Sequence, residues 1–179
     1  MDKILYTDVF AEPVEYPEER ILVFNGKPLT VAQYLPLEKK MDVIQNVVNI
    51  CAFDKLFLNS PQVLVIQTIE MVKAYTNIEF TDDDLKDAYV LYDTLEVSGL
   101  IQQLFVEEYI PSSEQAFITQ SIYDTLVETF KYNNSAQGII RNIIASSQNN
   151  MLEIEDLIKK VKDPAIGEFL KKLADSKLV

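Results

Sequence analysis

The apolar residues of this chain change period once, at Pro36, and that change decides what the chain can fold into. Before it, Ile21-Leu22-Val23-Phe24 and Lys27-Pro28-Leu29-Thr30-Val31 flank Asn25-Gly26. Asn-Gly between two β-prone runs predicts a hairpin, because both central residues of a type I′ turn need positive φ. Pro28 has no N–H to give, which confines the second run to an edge strand. A lone hairpin is marginal in water, so this one must lean on helices or pair with another chain. Its open edge is a candidate assembly surface.

After Pro36 the spacing is helical. Pro36 suits a first helical position, and Leu37, Met41, Ile44, Val48 and Cys51 recur at intervals of three and four as one stripe. Ser60-Pro61 reads as an N-cap and first turn, opening a helix to about Tyr75 with Leu64, Val65, Ile69 and Val72 inside. Thr81 reads as the cap of a third helix whose first turn is Asp82-Asp83-Asp84. Its stripe is Leu85, Ala88, Tyr89, Tyr92 and Leu95, and Gly99 supplies a left-handed stop. A short helix from Leu100 to about Tyr109 follows, ended by Pro111. Ser112 and Gln115 then form a capping box for a helix through Phe117, Ile118, Ile122, Leu126 and Phe130. A further helix is expected after Ser135, and a last pair over 152–162 and 164–174. The expectation is a mainly α protein: a compact bundle of seven or eight helices behind one short N-terminal hairpin at 21–31, forming a single helical domain over 21–179.

Residues 1–20 read as an extended arm. Pro13 and Pro17 interrupt both helix and ladder bonding, and six acids stand against Lys3 and Arg20. Ile4, Leu5, Tyr6, Val9, Phe10, Val14 and Tyr16 are too apolar for a freely solvated tail. Two readings stay open: the arm packs along its own domain, or it docks on a neighbouring subunit. With the hairpin, it supplies the candidate partner-binding residues Tyr6, Phe10, Tyr16, Val23 and Leu29.

Composition narrows the chemistry. At 179 residues the chain is long enough to bury roughly 70% of its unfolded surface, so a full core is available. It has no His, no Trp, one Cys and four isolated glycines. Imidazole mechanisms are excluded, a Cys–His couple cannot form, and no glycine cluster offers a phosphate cradle. Cys51 lies on an apolar stripe and reads as a buried structural residue. Asp82-Asp83-Asp84 lacks the alternation, the glycine and the distal glutamate of a helical calcium loop, and reads as helix capping. Glu107 and Glu108 point about 100° apart on a helix and cannot converge on a sugar. No catalytic residue, cofactor or metal is therefore expected, and the chain reads as non-enzymatic.

The net charge is −12, and residues 54–131 hold fourteen acids against four bases, whereas 151–179 hold six of each. Such a surface disfavours nucleic acid and anionic membranes. The N-terminus lacks the basic and apolar regions of a secretory signal, no apolar run approaches a membrane span, and one Cys fits a reducing compartment.

In order, NGKPLTVAQYLPLEKKMDVI, MVKAYTNIEF, LYDTLEVSGLI, KYNNSAQGII and KKVKDPAIGEFLKKL span most of residues 25–173. Through them the chain resembles small acidic helical proteins encoded among the structural and morphogenesis genes of tailed bacteriophages of low-GC Gram-positive hosts. The resemblance implies a virion or assembly component, at a connector, tail or capsid surface, found in the virion or the host cytoplasm. Its partners would be other virion or assembly proteins, or a second copy of itself. The resemblance supplies no functional residues, and residues 1–20 have no counterpart in it. Two other readings remain open: an assembly chaperone or adaptor absent from the particle, and an acidic decoy for a basic host protein.

Overall fold

A computed structural model gives the fold and describes residues 5, 17–52, 58–135 and 138. Of the sequence expectations, the arm residues Tyr6, Phe10 and Tyr16, the helix after Ser135 and the two tail helices lie outside the described residues. The chain divides into two compact units, residues 1–50 with 59–122, and residues 51–58 with 123–179.

The first unit begins with the hairpin, β1 (Arg20–Phe24) and β2 (Lys27–Val31), paired antiparallel with Leu22 opposite Leu29 and Phe24 opposite Lys27. Asn25 and Gly26 sit at φ 49° and 74°, the two positive angles that a type I′ turn demands. Helix α1 (Leu37–Ala52) follows, then α2 (Ser60–Tyr75), α3 (Ala88–Val97), a π-helical turn (Gln102–Val106) and α4 (Ser112–Asn133). The protein is mainly helical with one short hairpin, and the described residues hold four α-helices and the π turn. That count differs from the seven or eight helices expected over the whole chain, of which the ones after Ser135 fall outside the described residues. Among the described residues, no helix is long and apolar enough to cross a membrane.

Helix α2 is the centre of the first unit. Val65, Ile66, Thr68, Ile69, Glu70, Met71, Val72 and Tyr75 are all buried, and burial on so many sides marks an interior helix. Around it the core draws Leu22, Val31 and Leu35 from the hairpin region, Val43, Ile44 and Val47 from α1, Leu104 from the π turn, and Ile118 and Ile122 from α4. Each such side chain contributes about 1.5–3 kcal/mol of apolar transfer. In the second unit the described buried residues include Cys51, Ala52 and Leu126.

Several local expectations need correction. The α2 cap is Asn59, whose Oδ1 accepts from Gln62 N–H, and Ser60 is the first helical residue. The expected helix from Thr81 is a single turn. Thr81 and Asp84 close it reciprocally: Asp84 Oδ2 accepts from the Thr81 N–H and hydroxyl at 2.8 and 2.7 Å, and Asp84 N–H donates to Thr81 Oγ1. Continuing the helix would stack Asp83 and Asp84 against Asp87 at like-charge spacings. Asp87 instead caps α3, accepting from the N–H groups of Tyr89 and Val90.

The helix expected over 100–109 becomes the π turn, with Glu107 N–H donating to Gln102 O five residues back. It cannot reach Tyr109, because Glu108 takes a left-handed φ of 55°. The capping box at Ser112 does not form either. Gln115 turns its amide N–H₂ upstream to the carbonyls of Phe105 and Ile110, while Pro111 O accepts from the N–H groups of Glu114 and Gln115. Gly99, at φ 81°, does end α3 as its sequence position implies.

Candidate functional site

The hairpin's hydrogen bonds follow from its two-residue turn. Phe24 and Lys27 face each other as a bonded pair, so alternation makes Leu22–Leu29 bonded too and turns the backbone groups of Val23–Pro28 and Ile21–Thr30 outward. Pro28 therefore sits where an N–H would face away from the ladder, and the hairpin tolerates it. Along β2 the outward groups are used. Thr30 N–H donates to Asn77 Oδ1 at 3.0 Å, Asn77 N–H donates to Thr30 O, and Ala32 N–H donates to Tyr75 O at 2.8 Å. The chain leaving α2 thus closes the outer edge of β2.

Along β1 the outward groups belong to Ile21 and Val23, and among the described residues nothing pairs with them. Their side chains are 57% and 68% exposed. Arg20 anchors the start of this strand: its guanidinium lies 4.3 Å from the centre of the Tyr109 ring and donates to Glu108 O at 3.1 Å. Gln33 Nε2 donates to Tyr109 O at 2.6 Å. These two side chains and Gln115 hold the segment that contains the left-handed Glu108, whose conformation costs about 1–2 kcal/mol.

The sequence candidates fall apart on this frame. Val23 and Leu29 occupy opposite faces of the hairpin: Val23 lies with Pro28 on the exposed face, and Leu29 pairs with Leu22 on the face toward the core. Ile21, not named as a candidate, shares Val23's face and edge.

A buried polar node also escaped the sequence reading. Glu114, in the first turn of α4, accepts from Lys40 Nζ at 2.6 Å, from Tyr75 Oη at 2.8 Å and from Leu35 N–H at 3.1 Å. Lys40 Nζ further lies 3.9 Å from the centre of the Tyr34 ring. Both members of the ion pair are under a tenth exposed. Lys40, Glu114 and Tyr75 thus meet in one buried hydrogen-bonded cluster. Burial, and then the hydrogen bond to Glu114, push the Tyr75 phenol above its ordinary 10.0, away from what a base at neutral pH requires. The signal that could have revealed the node is positional: Lys40 falls on the line of Val43, Ile44 and Val47. Leu37 and Met41, expected inside, lie at the surface.

A groove of about 220 Å³ opens beside α2, lined by Leu64, Met71, Ile101 and Phe105 with Gln67, Thr68, Tyr92, Gln115 and Thr119. Leu64, expected in the core, is more than half exposed here. Gln67 Nε2 donates to Thr119 Oγ1 at 2.7 Å across it. Partial burial raises the Tyr92 phenol first, with the nearby Glu96 carboxylate adding to the shift. The volume is below the roughly 300–1,000 Å³ of small-molecule sites.

Among the described residues no three carboxylate or thiol groups converge as a metal site would require. Asp84 of the acidic run has its carboxyl lowered by the Thr81 hydroxyl and N–H, as a turn-closing residue should. Among the described residues, the β1 edge combines outward backbone groups that no described residue pairs with exposed side chains. Comparison of the chain with protein-family models, with curated proteins and with solved structures finds no match.

Proposed function

We propose that this chain is a non-enzymatic assembly protein that acts through protein–protein contacts, as a virion structural or morphogenesis component of a tailed phage would. The observation that carries the contact reading is the β1 edge, where Ile21 and Val23 present backbone groups that no described residue pairs, and exposed β-branched side chains, on a strand fixed by Arg20. Strand edges of this kind are used for β-augmentation, in which main-chain bonds give affinity and alternate side chains give specificity. The phage setting rests on the sequence resemblance alone, and the surplus of acids over 54–131 suits a partner with a basic surface.

The test is light scattering after size exclusion, on the chain alone and mixed with the proteins encoded beside it, together with mass spectrometry of purified particles. A self-assembling or particle-bound chain is expected. A strict monomer that joins no neighbour contradicts the contact reading, and a chain that binds its neighbours yet is missing from particles identifies an assembly chaperone.

A further inference from the structure

We propose that a second copy of this chain adds to the sheet across the open edge of β1, antiparallel and centred on Leu22, so that Ile21 of each copy faces Val23 of the other. The inference rests on the contact reading above and names the partner.

Hydrogen-bond parity and the five-residue length of β1 together select the register, since a slip of two residues keeps the parity but leaves a single bonded pair within the strands. Leu22 spends its backbone groups on Leu29, while Ile21 and Val23 turn theirs outward. A two-fold axis at Leu22 sets each outward residue against an outward residue of the other copy, giving bonded Ile21–Val23 pairs on both sides of the axis. A slip of one residue would set outward groups against inward ones and pair nothing.

The side chains agree with the backbone. Directly opposed residues share a face, so two Ile–Val cross-strand pairs would cover the side chains that are 57% and 68% exposed in the single chain. Charge selects the direction. In the antiparallel arrangement Glu18 and Glu19 of one copy approach the Asn25–Lys27 turn of the other, acid toward base. A parallel arrangement would lay Glu18 and Glu19 of the two copies against each other. A second copy also meets the closure requirement, because the same patch serves both subunits. Two five-residue strands bury less than the roughly 1,000 Å² of a stable dimer, so the association should be weak and concentration-dependent.

The test uses the full chain. Sedimentation and light scattering up to a few hundred micromolar, a range suited to so small an interface, should show the mass rising toward twice the 20.5 kDa of one chain. Val23→Pro removes only an outward N–H, across from the native Pro28. It should weaken the dimer about tenfold while circular dichroism and melting stay unchanged. Register is read by cysteine pairing. A mixture of the Ile21→Cys and Val23→Cys chains should form disulfide dimers between the two variants in preference to either variant with itself, with the buried Cys51 as an unreactive background.

Should Val23→Pro fail to fold, the cysteine mixture decides alone. Preferred pairing of Ile21→Cys with itself, or a dimer indifferent to a folded Val23→Pro, overturns the proposal. A monomer throughout the concentration range overturns it as well; if that monomer binds another assembly protein the contact reading survives, and if it binds none both fall.

Discussion

At the scale of single residues, Glu114 joins three parts of the fold, with one carboxylate serving an ammonium, a phenol and a backbone N–H. A buried ion pair adds little net stability over an apolar replacement, but breaking it strands a charge. Lys40→Met is accordingly expected to cost about 3–5 kcal/mol in urea unfolding; a loss below about 1 kcal/mol would mean that Glu114 is solvated in solution. Tyr75→Phe removes one donor and should cost about 1–2 kcal/mol at neutral pH. It should also change the alkaline limb. The folded chain holds the Tyr75 proton above its ordinary 10.0, so that contribution is whole below pH 10 and lost as pH rises beyond it, because the unfolded chain ionises first. Unfolding free energies measured from pH 8 to 11 should therefore fall less steeply above pH 10 for Tyr75→Phe than for the parent chain; equal slopes would contradict the buried phenol. The local pattern shows only one trace of this node, Lys40 on the line of Val43, Ile44 and Val47. Glu114 reads as a helix-start acid and Lys40 as an ordinary charge, and only the approach of 35, 40, 75 and 114 gives them a common role.

At the scale of elements, the sequence rules for turns and stops serve well and those for starts are off by one or more residues. Asn25-Gly26 makes its turn and Gly99 its stop because a positive φ is a local requirement that few residues meet. Helix starts are less determined, since Asn59 and Ser60 are both competent caps and neighbours decide between them. Asn59→Ala should cost about 1 kcal/mol in thermal unfolding and Ser60→Ala only a few tenths. The reverse order would return the cap to Ser60. The run Asp82-Asp83-Asp84 shows the same limit. Its acids suit a first turn, yet Asp87 four residues on competes as a cap and wins, because capping satisfies two N–H groups while continuation would crowd like charges. The π turn is further from view. Its carbonyl at Phe105, and that of Ile110 beyond it, are met by Gln115, ten and five residues along, a partnership that helical periodicity does not encode.

At the scale of the whole molecule, a charge of −12 on 179 residues makes self-repulsion the leading surface term. Raising NaCl from about 0.02 to 0.3 M should lift Tm by a few degrees, because screening relieves exposed like charges and leaves buried pairs such as Lys40–Glu114 nearly untouched. A fall in Tm would show instead that surface ion pairs dominate. The sequence by itself determined the helical class and the hairpin with its register-setting turn, since period and φ requirements act over a few residues. Only the tertiary structure decided which strand edge stays open. The chain leaving α2 returns to Thr30 and Ala32 and closes β2, whereas no described residue pairs the outward groups of Ile21 and Val23. It likewise decided that Leu37, Met41 and Leu64 lie outside while Lys40 and Glu114 lie within. The physical reason is the same in each case: burial and edge pairing depend on residues far apart in the chain meeting in space, and a local pattern cannot carry that information.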